Sequence, residues 1–164
     1  MLIFLDIDGV LLPYTAATTG FEPGCLWRFE EVVREVEAAR IVISSDWRLI
    51  MPLDAIRELF SADVAERIVG ATPVLQGMRW LNRYREVLAY VRAQPAPLPW
   101  VAVDDDPWNY PEEAVDVNLV MTDPDRGLDA PAAARLRRLL RGVPTDQELQ
   151  DRRRRLERGG PLDP

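Results

Sequence analysis

Two carboxylates one residue apart, Asp6 and Asp8, end an apolar run at the start of the chain and are followed by Gly9. In an extended segment residues i and i+2 face the same side, so both acids lean toward one point. Adjacent anions repel unless a cation, a proton or a phosphoryl chemistry separates their roles. Two further polar clusters also follow apolar runs, Ser44-Ser45-Asp46-Trp47-Arg48 and Asp104-Asp105-Asp106. Each alone could be a helix cap or a turn, since Asp, Ser and Gly are turn residues. Three such clusters after successive buried runs are less easily explained that way. The chain has no histidine and one cysteine, Cys25, which removes His-activated nucleophiles and leaves almost no ligands for a soft metal. A metal here would be a hard cation held by oxygen, Mg²⁺ being the natural choice.

These groups can meet only if parallel strands bring their carboxyl ends to one edge. The sequence predicts that arrangement. Apolar runs at residues 2–5, 41–43, 100–103 and 117–121, with a weaker one at 67–70, have the composition of buried strands. Helical spacing runs over residues 29–39, 53–60, 80–91 and 132–140. Residues 10–27, with Pro13, Gly20, Pro23 and Gly24, read as a long loop. A last helical stretch over 146–157 is poorly apolar. Strands alternating with helices imply one α/β domain with a parallel sheet.

The motifs resemble those of the haloacid dehalogenase (HAD) superfamily, whose phosphatases open with Asp-x-Asp-Gly after the first strand. Ser44 matches the second motif, a basic helix residue the third, and Asp104/Asp105 the acidic pair of the fourth, over residues 2 to about 125. Further patterns are similar to a smaller HAD group associated with nucleic-acid repair and end processing. They are Gly70-Ala-Thr72-Pro73, Arg83-x-x-Glu86-Val-x-x-Tyr-Val, and Thr122-Asp123 with Gly127-Leu128. The resemblance implies a three-layer α/β/α, Rossmann-like parallel sheet and a phosphatase working through an aspartyl-phosphate. In that reading Asp6 is the nucleophile, Asp8 the general acid and base, Ser44 a phosphate ligand with Ser45 as the competing choice, and Arg83 the clamp. Arg85 and Arg79 are alternatives to Arg83. Mg²⁺ would be held by Asp6, Asp105, Asp104 and the main-chain carbonyl of Asp8. The substrate would be a phosphomonoester, with nucleic-acid ends as the class the subgroup suggests. A metabolite or nucleotide phosphatase, and a catalytically idle binding module, are the competing readings.

Trp47, Arg48 and Trp108 follow the motifs closely enough to border such a crevice. The aromatics could stack on a base and Arg48 could take a second phosphate, or all three could simply pack or face solvent. Asp106 suits a cap for the following turn, and Asp123 is a reserve acid. Only 35 residues separate Asp8 from Ser44, and 20 separate Arg83 from Asp104, so neither gap holds a substrate-reading cap domain. An open crevice suits bulky phosphorylated substrates.

Length and composition fit this reading. The chain has 164 residues, 48% hydrophobic and 29% charged, as expected of one globular domain. No apolar run approaches the roughly 18 residues of a membrane span, no secretory leader is visible, and the cysteine usage points to the cytoplasm. Net charge is −7, yet residues 131–164 carry nine arginines against five acids. Residues 1–142 are expected to form the catalytic domain and 143–164 an Arg-rich helix and tail. That tail could attract nucleic acid or form a solvated helix face. The sequence leaves the oligomeric state open.

Overall fold

Residues 1–17, 20–75, 81–111 and 118–142 are described by the computed structural model, so the expected helix over 146–157 and the Arg-rich tail lie outside the described residues. The element order is β1 (Leu2–Leu5), α1 (Pro23–Arg34), β2 (Arg40–Ile43), three short helices α2 (Trp47–Ile50), α3 (Leu53–Arg57) and α4 (Ala62–Ala65), β3 (Ile68–Ala71), α5 (Asn82–Arg92), β4 (Trp100–Asp104), a 3₁₀ turn (Pro107–Asn109), β5 (Leu119–Met121) and α6 (Ala130–Leu140).

The five strands form one all-parallel sheet in the order β3-β2-β1-β4-β5. Side chains alternate across it. Ile3, Leu5, Ile41, Ile43, Val101 and Val103 pack beneath α1, α3, α4 and α6. Leu2, Phe4, Val42, Ala102 and Leu119 pack on the other face with Val87 and Tyr90 of α5. Because both faces are covered, the strands need unbroken apolar runs, and that is why they were legible. The fold is a small Rossmann-like α/β/α domain. No helix among the described residues is long and apolar enough to cross a membrane.

The start of α1 differs from expectation for a clear reason. α1 begins at Pro23, inside the stretch read as loop, with Pro at the head of the helix and the Glu22 carboxylate accepting from the Cys25 amide at 2.7 Å. Proline breaks a helix interior but is preorganised for its first turn, where its missing N–H costs nothing.

The strand order reverses at β1, with β2 and β3 laid to one side and β4 and β5 to the other. Such a switch point opens a crevice at the carboxyl ends of the strands. The turn after β1 is built to enter that crevice. Gly9 has φ of +68°, and a Cβ there would overlap the Asp105 carboxylate, so a side chain is excluded both by conformation and by space. The buried Thr122 hydroxyl donates to the Gly9 carbonyl at 2.9 Å, and the Leu128 amide donates to Val10 O at 2.8 Å. The segment after β5 thus ties down the loop that carries the two leading acids.

Candidate active site

Asp6 leaves β1 at the switch point and Asp104 ends β4 beside it. Asp6 donates its amide to Val103 O at 3.0 Å, which locks the two strand ends together. One carboxylate oxygen each from Asp6, Asp104 and Asp105 lie within 4.8 Å of one another. Asp6 and Asp104 are buried, and Asp105 is half-buried.

Burial is the largest influence on each of the three. It pushes Asp104 up to about 8, reinforced by the Asp6 charge and opposed by the Asp106 amide. Asp6 is also raised by burial, with Arg83, the Ile7 amide and the Ser45 hydroxyl holding it back. Asp105 is raised by burial and then by Asp6. Asp104 Oδ1 accepts from the Asp106 amide at 3.0 Å, while its Oδ2 is buried without a hydrogen-bond partner among the described residues. A buried acceptor without a donor is costly.

The cation facing this trio is Arg83, on the first turn of α5. Its Nε lies 3.8 Å from Asp104 Oδ2, and its Nη1 donates to Asp46 Oδ1 at 3.2 Å and to the Ser44 carbonyl. Burial works to lower its pKa, yet the charges of Asp6, Asp104 and Asp46 raise it overall, so it stays a guanidinium. Of the three arginines weighed from the sequence, Arg83 lines the cleft, Arg85 is exposed, and Arg79 lies outside the described residues.

Asp8 lines the same cleft but is not one of the trio. Its Oδ2 accepts from the Trp47 indole N–H at 3.0 Å. The two serines also separate. Ser44 Oγ is buried with no partner, and the Ser44 carbonyl serves as acceptor for both Arg83 and Arg48. Ser45 Oγ lies beside the Asp6 carboxyl and accepts from the Trp47 amide at 3.4 Å. It is thus the Ser45 hydroxyl, and not that of Ser44, that lies beside Asp6, two residues beyond the end of β2 at Ile43.

Arg48 requires a correction. Its side chain is only 5% exposed and its guanidinium is occupied by protein. Nη1 donates to the carbonyls of Ser44 at 2.6 Å and Ser45 at 2.8 Å, Nε to Thr72 O at 3.2 Å, and Nη2 to Glu86 at 2.6 Å. It braces the ends of β2 and β3 against α5 and is not presented to a second phosphate. Trp47 is likewise committed, packed on Phe21 at 5.8 Å and bonded to Asp8. Trp108 fits the sequence reading better, being 65% exposed at the cleft. Asp106 caps the 3₁₀ turn by accepting from the Trp108 amide at 2.9 Å. Asp123 is exposed and accepts from the Asp125 amide.

The cleft has a volume of about 680 Å³, and its walls include Asp6, Asp8, Asp105, Arg83 and three residues the sequence reading did not single out, Tyr14, Asn82 and Asn109. Tyr14 lies against Asp105, and burial followed by that carboxylate pushes its hydroxyl up to about 12. Its sequence signal was only an aromatic in an irregular loop. Asn109 approaches Asp104 Oδ1 at 3.4 Å and had none.

Comparison with known proteins gave one family. The model of the HAD domain in Swiss Army Knife RNA repair proteins matches residues 2–133. No curated protein and no solved structure matched the chain.

Proposed function

The chain belongs to the family of HAD domains in Swiss Army Knife RNA repair proteins, and on that premise we propose that it is a Mg²⁺-dependent phosphomonoesterase acting on nucleic-acid ends. Membership makes it a HAD-type hydrolase. The observation that carries the finer reading is the trio Asp6, Asp104 and Asp105, gathered within 4.8 Å at the switch point with Arg83 beside it.

Three oxygen donors, with the Asp104 Oδ2 buried and lacking a hydrogen bond, suit a small hard cation, and the single facing guanidinium leaves the trio short of positive charge. Asp6, Asp105, Asp104 and the Asp8 carbonyl would hold it. When bound, Mg²⁺ offsets the charge of the carboxylates and of an entering phosphate. The chain's own groups supply the rest. Asp6 attacks phosphorus, splitting a hard displacement into two easier ones. Asp8 gives a proton to the leaving oxygen and later takes one from water. Arg83 and the Ser45 hydroxyl hold the phosphoryl oxygens in line.

The direct test is a Mg²⁺-dependent screen of 3′- and 5′-phosphorylated oligonucleotides, nucleotides and sugar phosphates. Turnover of oligonucleotide ends is expected. Activity confined to small metabolites would remove the nucleic-acid reading, and no turnover of any monoester would remove the phosphatase.

The metal assignment has its own readout. An acid whose folded pKa is raised contributes stability that is full below its ordinary pKa and is lost as pH rises through the folded value. Asp104, ordinarily near 3.8 and here about 8, therefore weakens the metal-free fold progressively across that interval. A divalent cation takes the place of the missing proton. Mg²⁺ is expected to raise the melting temperature more at about pH 8.5 than at about pH 6. Scanning calorimetry with and without MgCl₂ decides it, and equal shifts at both pH values would count against these ligands.

A further inference from the structure

The geometry points to Trp47 as the positioning residue of the acid/base carboxylate, an inference that rests on the phosphatase reading above. The Trp47 indole N–H donates to Asp8 Oδ2 at 3.0 Å. The ring is held in turn by Phe21, at a centroid distance of 5.8 Å, and by the core beneath α1, so the donor has little freedom to move. The Trp47 amide meets Ser45 Oγ at 3.4 Å, and that hydroxyl flanks Asp6. One residue therefore touches both the acid/base group and the neighbour of the nucleophile.

An indole nitrogen can donate and cannot accept. A proton on Asp8 Oδ2 would point at the indole hydrogen, so the transferable proton is carried by Oδ1, the oxygen left free for the cleft. The contact thus fixes the rotation of the carboxylate and selects which oxygen meets substrate. In the first half-reaction an Asp6 oxygen forms a bond to phosphorus as the bond from phosphorus to the leaving oxygen breaks. The electron pair stays on the leaving oxygen, which takes the proton from Asp8 Oδ1. In the second, a water oxygen bonds to phosphorus and gives a proton to the same Oδ1, and the Asp6–phosphorus bond breaks to restore the Asp6 carboxylate. Oδ1 faces the reacting oxygen in both steps while Oδ2 stays on the indole.

The requirement for an acid depends on the leaving group. An alcohol must be protonated as it departs, whereas nitrophenolate leaves unaided. Trp47→Phe keeps a ring on Phe21 and removes the donor. Its kcat/KM, which reports the steps through departure of the leaving group, is expected to fall about 10- to 100-fold for p-nitrobenzyl phosphate and less than about 3-fold for p-nitrophenyl phosphate, a share of the ~10²–10⁴ that acid catalysis supplies. A role confined to packing would lower both substrates together, so equal losses, or no loss, would overturn the inference. Inactivity of the wild-type chain toward both esters and toward 3′- and 5′-phosphorylated oligonucleotides would overturn the phosphatase reading and this inference with it. Should Trp47→Phe fail to fold, the assigned Trp47 Nε1–H resonance in ¹⁵N spectra provides the second measurement. It is expected to shift upfield in Asp8→Asn, where the anionic acceptor is gone, and an unmoved resonance would overturn the contact.

Discussion

Asp6→Asn is expected to leave a folded protein whose phosphomonoester turnover falls at least about 10⁴-fold, the scale on which loss of an enzymatic nucleophile is felt. The substitution is close to isosteric. Its side-chain oxygen can still accept from the Ile7 amide, now at 2.8 Å from Asp6 Oδ1. What disappears is a charge and an attacking oxygen. The lost charge relieves repulsion on Asp104 and Asp105, both of which Asp6 pushes upward, and it removes one of the anions facing Arg83. The metal-free variant should melt no lower than the wild type.

That combination separates the nucleophile from a merely structural acid. Because Asp6 is also a candidate metal ligand, turnover alone is ambiguous. Two further measurements resolve it. The Mg²⁺-induced thermal shift should survive in reduced form, since the asparagine carbonyl and the other two carboxylates remain. Acid-quenched wild-type protein should carry covalent phosphate from a labelled substrate, and Asp6→Asn should carry none. Turnover above about one hundredth of wild type, or label retained by the variant, would transfer the role to another residue.

Asp6, Asp104 and Asp105 were legible from sequence because their positions depend on one rule. Residues that directly follow buried parallel strands must share an edge, and the fully buried Ile3–Leu5 and Val101–Val103 leave little doubt where those strands end. Arg83 was legible through its spacing from Glu86, which here faces Arg48 and the Leu75 amide. Residues 45–48 were not, and the reason is local. The chain turns into the one-turn helix α2 at Trp47, and each helical step rotates a side chain by about 100°. Motif order says nothing about which of Trp47 and Arg48 then reaches Asp8 and which is taken up by the strand-end carbonyls and Glu86. The same limit hid the Thr122–Gly9 bond, a contact across 113 residues that only the completed sheet brings together.

Arg48→Met separates the two roles that the sequence leaves open for this residue, a phosphate ligand and a packed side chain. As a ligand for a second phosphate, Arg48 would be dispensable to the fold, and its loss would raise KM alone. In the structure it is one half of a buried pair with Glu86, at 2.6 Å and with side chains 5% and 3% exposed. Removing Arg48 leaves the buried Glu86 carboxylate with only the more distant Arg83, at 3.9 Å, as a cation, and loss of one partner of a buried pair costs up to about 3–5 kcal/mol. Three main-chain carbonyls, of Ser44, Ser45 and Thr72, also lose a donor. The melting temperature should therefore drop by on the order of 10 °C. The double variant Arg48→Met with Glu86→Leu removes that under-compensated carboxylate as well, so its loss should be smaller than the sum of the two single losses by at least about 1 kcal/mol. Recovery should stay incomplete, because the carbonyls still lack Arg48, and the Leu75 amide and the Asn82 side chain lose Glu86. Urea unfolding of the four proteins measures the coupling. Strictly additive losses, or a normal melting temperature paired with a raised KM, would return Arg48 to the substrate. The predicted outcome makes it part of the frame that holds the ends of β2 and β3 against α5, and so holds Arg83 where a phosphate would meet it.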